Sequence, residues 1–226
     1  MNQRRYGLFF KISRALTRII LPRFRFKTLY ITDEPTVYIS HHQNMMGPVS
    51  ILVWIKYYFR TWVLSVFTSQ EDCYAHYTNY TFTKRYKWPL PIAKIVAWPL
   101  SYIIPWMMKS ARAIPVYRTS RKIMHTFQMS VEALLNDEDL LIFPDIDYSN
   151  DSSKTSNIYE GFLHLEKYYY RKTKKHLTFV PVYSNQKKRE IYTGQPIQFT
   201  GNKSFIKERK EIAQKIREEL NRLSKI

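Results

Sequence analysis

Side chains that could do chemistry directly follow three segments that read as β-strands. His41 and His42 follow TVYIS, Arg118 follows AIPVY, and Asp145 follows LLIFP. In an open α/β sheet, ligands bind beyond the carboxyl ends of the strands. A histidine can take a proton from a hydroxyl near neutral pH, and an arginine can hold a phosphate or carboxylate in a fork of hydrogen bonds. A base, a cation and an acid in this arrangement suit the transfer of an acyl group to a hydroxyl.

The elements that carry these residues alternate between strands and helices. Short apolar segments rich in β-branched residues, such as TVYIS and LTFVPVYS, indicate buried strands. HTFQMSVEALLND and the segment after about Lys203 show apolar residues at helical spacing. The alternation predicts the α/β class, with one domain built on a largely parallel central sheet flanked by helices. The polar run at 148–157 is predicted to be a long loop directly after a strand, a common place for a site.

Composition narrows the function classes. A chain of 226 residues that is 45% hydrophobic can bury a core, and its 5 glycines form no phosphate-binding glycine motif. The single cysteine, Cys73, excludes an intramolecular disulfide and a multi-cysteine zinc site, which suits a reducing cytoplasm. The histidines show no metal-ligand spacing. We therefore predict neither a metal nor a bound cofactor.

The charge and the aromatic content together point to a lipid surface. The net charge of +18 favours polyanionic partners: an anionic membrane, an acidic carrier protein or nucleic acid. The 16% aromatic residues favour a partner that is apolar as well as negative. Nucleic-acid binding would rest on charge alone, and we do not expect it.

The N-terminal segment reads as an amphipathic helix. Its apolar residues form one stripe at helical spacing, and Arg4, Lys11, Arg14 and Arg18 fall on the opposite face. We predict that residues 1–24 lie in an anionic leaflet and that residues 25–226 form the α/β domain. A helix that caps the core of the domain is the alternative. The expected location is peripheral, on the cytoplasmic face of the cell membrane.

A second apolar segment, residues 88–111, contains four prolines and three tryptophans. Because proline disrupts helices, we expect no long helix here, and we interpret the segment as dipping into a membrane surface. Helical core between strands is the alternative. Residues 50–68 are also nearly apolar, but Lys56 and Arg60 would each cost about 2.5–3.5 kcal/mol at a bilayer centre, so we expect no membrane span there.

Several blocks in a fixed order carry a family resemblance. They are HHQNMMG (41–47), AIPVYR (113–118), FPDIDYS (143–149) with EGF (160–162) after it, and FVPV (179–182). Together they resemble the glycerolipid (lysophospholipid) acyltransferase family, whose blocks read N-H-x-S-x-x-D, IPV-x-R, F-P-E-G-T-R-S and V-P-V. The blocks span most of the chain in the family's order.

The resemblance implies a reaction and a set of residues. His42 falls on the family's general base, and the acyl donor would be a thioester of coenzyme A or of acyl carrier protein. The acceptor would be the hydroxyl of a lysolipid or glycolipid. The positions expected to contribute to substrate binding are His41, Arg118, Asp145, Tyr148 and Gly161.

Two blocks depart from the family pattern. Gly47 stands where the family places the acid that orients the histidine, and Tyr148 stands where its phosphate-binding arginine would be. The acceptor therefore need not carry a phosphate in the usual place. A catalytically silent relative that binds a lipid or a protein partner is the alternative function.

If the protein is an enzyme, another residue must orient His42. Asp147 is the first candidate, because it could supply a carboxylate from a neighbouring strand end. Asn44, through its amide oxygen, is the second candidate, and Asp145 is the third.

Overall fold

The predicted α/β class is confirmed in a computed structural model of the chain, which describes residues 5–27, 32, 34–43, 45–118, 121–145 and 158–226. The chain forms two compact units. The first contains Arg14–Phe59 and Phe127–Ile226, and the second contains Arg5–Ser13 and Arg60–Thr126. Each unit has its own sheet pairing and its own packed side chains.

The helices and strands follow one another along the chain as the alternating pattern predicts. The helices are α1 (Leu8–Ile20), α2 (Met46–Trp54), α3 (Gln70–His76), α4 (Leu90–Ser110), α5 (Ile123–Leu135), α6 (Leu165–Thr173) and α7 (Phe205–Leu223). The strands are β1 (Arg25–Phe26), β2 (Thr36–Ser40), β3 (Phe59–Leu64), β4 (Ile114–Val116), β5 (Asp139–Ile142), β6 (Thr178–Asn185), β7 (Glu190–Thr193) and β8 (Ile197–Gln198). A π-helical stretch, Tyr77–Arg85, continues α3.

The sheet of the first unit is centred on β2. β2 pairs in parallel with β5 on one side, with Val37 opposite Leu140, and in parallel with β6 on the other, with Val37 opposite Phe179. Beyond β6 the antiparallel β7 and then β1 complete this edge. All five residues of β2 are buried, as expected for a strand covered on both faces. The two central parallel strands, β2 and β5, therefore end side by side.

The core of the first unit packs around these strands. Tyr38 of β2 lies edge-on to Phe59, with ring centroids 5.0 Å apart. α2 contributes Ile51, which is fully buried in the same cluster. The other buried members of the cluster are Phe24, Ile55, Leu141, Phe143, Val180, Val182 and Ile191. Because α2 is anchored in this core, the turn between β2 and α2 is held at both of its ends.

The second unit pairs β3 in parallel with β4 and packs α4 against α3 and the π-helical stretch. Ala93 and Ala97 of α4 are fully buried beside Phe82. The Phe82 ring also stacks on Trp88 at 4.7 Å with an interplanar angle of 5°. Small residues on α4 thus let the helix approach the aromatic side chains closely.

The expectation that prolines break the 88–111 segment is wrong. α4 is one continuous helix of 21 residues, with Pro99 and Pro105 inside it. Pro91 lies in the first turn, where a backbone N–H has no helical partner in any case. The two interior prolines each cost about 3 kcal/mol in an isolated helix, so α4 depends on its packing against α3 and the π-helical stretch. Among the described residues, α4 is the one helix long and apolar enough to cross a membrane by length and composition.

The predicted N-terminal helix is present as α1. Within the first unit, the Arg14 and Arg18 Nε–H groups donate to the Val53 carbonyl at the end of α2, at 2.9 and 2.8 Å. A helix carboxyl end attracts cations because its carbonyls carry partial negative charge. Ile19 and Ile20, by contrast, are exposed. Arg14 and Arg18 therefore contact the protein while Ile19 and Ile20 face outward, and the membrane role of the helix stays a prediction.

Candidate active site

One carboxylate bridges both histidines at the carboxyl end of the central strands. The His41 ring Nδ1 lies 2.5 Å from Asp145 Oδ1. The His42 backbone N–H donates to Asp145 Oδ2 at 2.6 Å. Asp145 follows β5 and the histidines follow β2, so the contact is a direct result of the parallel β2–β5 pairing. The structure thus brings together His41, His42 and Asp145 from blocks 104 positions apart.

The opposite end of the same strand pair is also pinned by an aspartate. The Thr36 backbone N–H donates to Asp139 Oδ1 at 2.9 Å. The two aspartates therefore fix the register of β2 against β5 at both ends. Asp145 also contacts the ring of His41.

His41 and Asp145 form a buried pair, with residue exposures of 2% and 3%. A neutral His41 in this geometry carries its proton on Nδ1 and donates it to the carboxylate, which leaves Nε2 as the acceptor nitrogen. Leaving a buried donor or acceptor without its hydrogen-bond partner typically costs about 1–3 kcal/mol. This pair therefore holds the strand ends in place as well as setting the tautomer of His41.

His42 is half-buried, and is thus the more accessible of the two histidines. Its ring lies edge-on to Phe143, with centroids 5.7 Å apart and an interplanar angle of 78°. Phe143 itself is buried in the core of the first unit. The position of His42 is therefore set by the buried Phe143 ring and by the hydrogen bond from the His42 backbone N–H to Asp145.

Gly47 lies too close to the histidine backbone to carry a side chain. A Cβ at this position would lie 2.2 Å from the His41 carbonyl oxygen and 2.8 Å from that of His42. The Gly47 N–H also donates to the His42 carbonyl, at 3.1 Å. The family's orienting acid therefore has no room at position 47 on this backbone.

Gly47→Ala is expected to destabilise the protein, although alanine normally stabilises a helix by about 1 kcal/mol relative to glycine. The methyl group must displace backbone atoms, so we expect the free energy of unfolding to fall by about 1–3 kcal/mol or more. Urea unfolding measures this. Gly194→Ala is the matched control, because the atoms its Cβ would meet belong to the flexible Glu219 side chain. An equal loss in both variants would contradict the prediction.

A buried polar cluster holds the turn between β2 and α2. Gln43 has a positive φ of 47°, an uncommon conformation for a residue other than glycine. Its Oε1 accepts a hydrogen bond from Gln186 Nε2 at 3.1 Å. Gln186 also donates to Ser184, whose Oγ lies 2.7 Å from that of Ser50 on α2. Sequence reasoning missed this cluster, although a polar residue directly after the two histidines was a signal for it.

Gly161 lies in a segment, from Ile158 onward, that returns to the backbone at Pro144 and Asp145. Tyr159 N–H donates to the Pro144 carbonyl at 2.7 Å, and Ile158 pairs with Asp145 in an isolated antiparallel bridge. The Tyr159 ring lies over Gly161, where a Cβ would come within 2.3 Å of it. Glycine therefore permits the tyrosine to lie beside the Pro144–Asp145 strand end.

The remaining predicted site residues are not placed with this group. Arg118 follows β4, in the second unit, and its part in the site stays a prediction. Asn44, Asp147 and Tyr148 lie outside the described residues. Within the described ranges, no cluster of three or more His, Cys, Asp or Glu side chains could hold a metal ion.

Comparison with known proteins supports the fold. No family model and no curated protein sequence matches the chain. Among solved structures it is similar to the crystal structure of the 1-acyl-sn-glycerophosphate (LPA) acyltransferase, PlsC, from Thermotoga maritima. The TM-score is 0.55 at 13% identity, and the similarity covers 95% of this chain and 78% of that chain. The chain therefore has the fold of this acyltransferase.

Proposed function

We propose that this protein is an O-acyltransferase that moves a fatty acyl chain from an acyl thioester to the hydroxyl of a lysolipid or glycolipid at a membrane surface. The observation that carries the proposal is the cluster of His41, His42 and Asp145 at the carboxyl ends of β2 and β5. This is the end of a parallel sheet where ligands bind. The fold shared with an LPA acyltransferase supports the same class of reaction.

In the proposed reaction His42 is the general base. Its ring nitrogen takes the proton from the acceptor hydroxyl, and the oxygen attacks the thioester carbonyl carbon. A C–O bond forms and the C–S bond breaks, so that an oxygen ester and a thiolate are produced. The imidazolium then returns the proton to the thiolate, which leaves as the free thiol of coenzyme A or acyl carrier protein. No bound cofactor takes part.

Asp145 is a positioning residue in this scheme. Its carboxylate accepts a hydrogen bond from the His42 backbone N–H and contacts the His41 ring. It thereby fixes the backbone that carries the His42 side chain. Holding a base within reach of the proton it removes is a large part of its effectiveness. Asp147 and Asn44 stay candidates for a direct bond to the His42 ring.

The acceptor site is proposed to lie around the third block. Gly161, Tyr148 and the backbone at Asp145 would face the glycerol or sugar part of the acceptor. Arg118 would hold an anionic group of either substrate, because a guanidinium binds phosphate or carboxylate in a fork. Tyr148 in place of an arginine favours an acceptor whose hydroxyls, rather than a phosphate, meet this position.

A silent lipid-binding relative is the second candidate, and the crowded backbone at Gly47 favours it. The backbone leaves no room for an acidic side chain at position 47. The kcat of an enzyme that loses its orienting carboxylate can fall by a factor of about 10⁴. Such a protein would bind lysolipids without turnover.

Purified protein incubated with radiolabelled acyl-coenzyme A or acyl carrier protein and a panel of lysolipids and glycolipids tests the proposal. Formation of a diacyl product is the expected result, and mass spectrometry of that product names the acceptor. Thermal stabilisation by a lysolipid with no product from either donor over hours would support the silent relative instead.

A further inference from the structure

Helix α4 has one buried side and one exposed apolar side. Ala93 and Ala97 are fully buried against the second unit. On the other side, Ile95, Trp98 and Trp106 are 73%, 62% and 64% exposed. We call the exposed side chains the outward face: Ile92, Ile95, Trp98, Tyr102, Ile103 and Trp106. Six large apolar side chains exposed along one helix mark an interaction site.

The chemistry of the outward face fits lipid. The only charged residues within α4 are Lys94 and Lys109, and the helix contains no acid. Lysine can lay its apolar stem along lipid while its ammonium group stays near anionic headgroups. Tryptophan and tyrosine are enriched at membrane–water interfaces, where an apolar ring meets a polar surface. We propose that the second unit enters a lipid monolayer through this face, with the axis of α4 in the plane of the membrane.

The buried side of α4 argues against a membrane span. This side packs on α3 and on the π-helical stretch. α3 carries the exposed acids Glu71 and Asp72, and the π-helical stretch carries Lys84. Threading α4 through a bilayer would bring these charges into hydrocarbon, which is costly. A helix with one apolar face and one protein-covered face instead lies in the interface.

The beginning of α1 adds to the same surface of the second unit. Gly7 N–H donates to the Ser110 carbonyl at the end of α4, at 2.7 Å. The Phe9 ring lies 4.8 Å from that of Trp106. Leu8, between them in sequence, is exposed. The carboxyl end of α4 and the first turn of α1 would therefore enter the monolayer together.

Vesicle sedimentation with a matched pair of variants tests the proposal. Ile95→Gln removes an apolar side chain from the outward face, whereas Ile206→Gln removes one that is 64% exposed on α7, in the first unit. We expect Ile95→Gln to lower the partition constant on phosphatidylcholine vesicles about 10–100-fold, the contribution of one large apolar side chain. Ile206→Gln should leave it unchanged. Trp106→Ser serves as a second variant if Ile95→Gln shows an altered melting curve.

Salt and depth measurements separate this mode of binding from others. Binding to phosphatidylcholine should persist in about 1 M NaCl, where charge interactions are screened. Brominated lipids labelled near the headgroup should quench the fluorescence of Trp98 and Trp106 more than lipids labelled at the chain ends. Loss of binding in salt, strongest quenching at the bilayer centre, or equal losses in the two isoleucine variants would overturn the proposal. So would a stable dimer in solution that Ile95→Gln dissociates, because a second copy would then cover the face. None of these measurements depends on acyl transfer.

Discussion

Replacing His42 with asparagine is expected to lower kcat for acyl transfer by about 10²–10⁴, the usual contribution of a general base. Asparagine can occupy the same space but cannot take a proton from the acceptor hydroxyl. The backbone N–H of residue 42 still reaches Asp145 in the variant, so the strand ends and the free energy of unfolding should change little. KM for either substrate should stay close to that of the parent protein. Initial rates with the acceptor found in the activity screen measure the effect.

His125→Asn is the matched control for this change, because His125 is an exposed histidine on α5. Its activity should equal that of the parent protein. Unchanged transfer by the His42→Asn variant would remove His42 as the base, and with it the proposed mechanism.

The second large effect is expected for Asp145→Asn. The asparagine oxygen can still accept the His42 backbone N–H, but its amide nitrogen can only donate, so the His41 ring no longer donates to a carboxylate and must accept on Nδ1 in its other tautomer. We expect kcat to fall by about 10²–10⁴, approaching the 10⁴ that follows loss of the orienting carboxylate in a serine protease triad. Changing this buried hydrogen bond should also lower the free energy of unfolding, by about 1–3 kcal/mol, so rates must be measured at temperatures well below the unfolding midpoint.

Asp139→Ala, which removes the acceptor of the Thr36 backbone N–H, controls for the loss of stability. Asp139 accepts a backbone hydrogen bond at the other end of the same strand pair, away from the histidines. This variant should be destabilised with kcat unchanged. If the two variants lose kcat equally, Asp145 acts only through the fold and has no positioning role.

The His41→Asn variant tests whether His41 only forms the hydrogen bond to Asp145 or is itself the general base. The Nδ2 of asparagine lies about where the imidazole Nδ1 lies, and it can still donate to Asp145. In the motif that the first block resembles, N-H-x-S-x-x-D, asparagine occupies this position. We therefore expect kcat to stay within about tenfold of that of the parent protein. This is a smaller loss than the factor of about 10²–10⁴ expected when a general base is removed. A loss as large as that of His42→Asn would identify His41 as the base.

Asp147→Asn completes the comparison of carboxylates. The sequence predicts Asp147 as the residue that orients the His42 ring. If that prediction is right, its variant loses kcat as strongly as Asp145→Asn, but without the cost of a broken His41 pair. Full activity of Asp147→Asn would leave Asp145 as the carboxylate that serves the histidines.

Element types were the most predictable part of the fold. Segments of four to eight apolar and β-branched residues became strands, since such residues pack well on a pleated surface. The last helix, predicted from about Lys203, begins at Phe205 with its apolar side buried through Ile212, Ile216 and Leu220. Local spacing of apolar residues is enough for these assignments.

The 88–111 segment shows where local reasoning failed. A proline weakens a helix by removing one hydrogen bond, but its effect on a given helix depends on what else stabilises it. In α4 that stabilisation includes the packing of Ala93 and Ala97 on Phe82, a contact between residues that local sequence patterns do not relate. The helical stretch 70–85 was likewise not foreseen, because its aromatic residues show no simple helical period.

For the candidate site, the sequence by itself determined that two histidines and an aspartate each follow a strand, because strand ends are encoded locally. Only the tertiary structure decided that β2 and β5 are neighbours, and hence that the Asp145 carboxylate meets both the His41 ring and the His42 backbone. It also decided that Gly47 has no room for an acid and that the apolar side of α4 faces outward. These outcomes depend on packing between residues far apart in the chain, which no local pattern of residue types records.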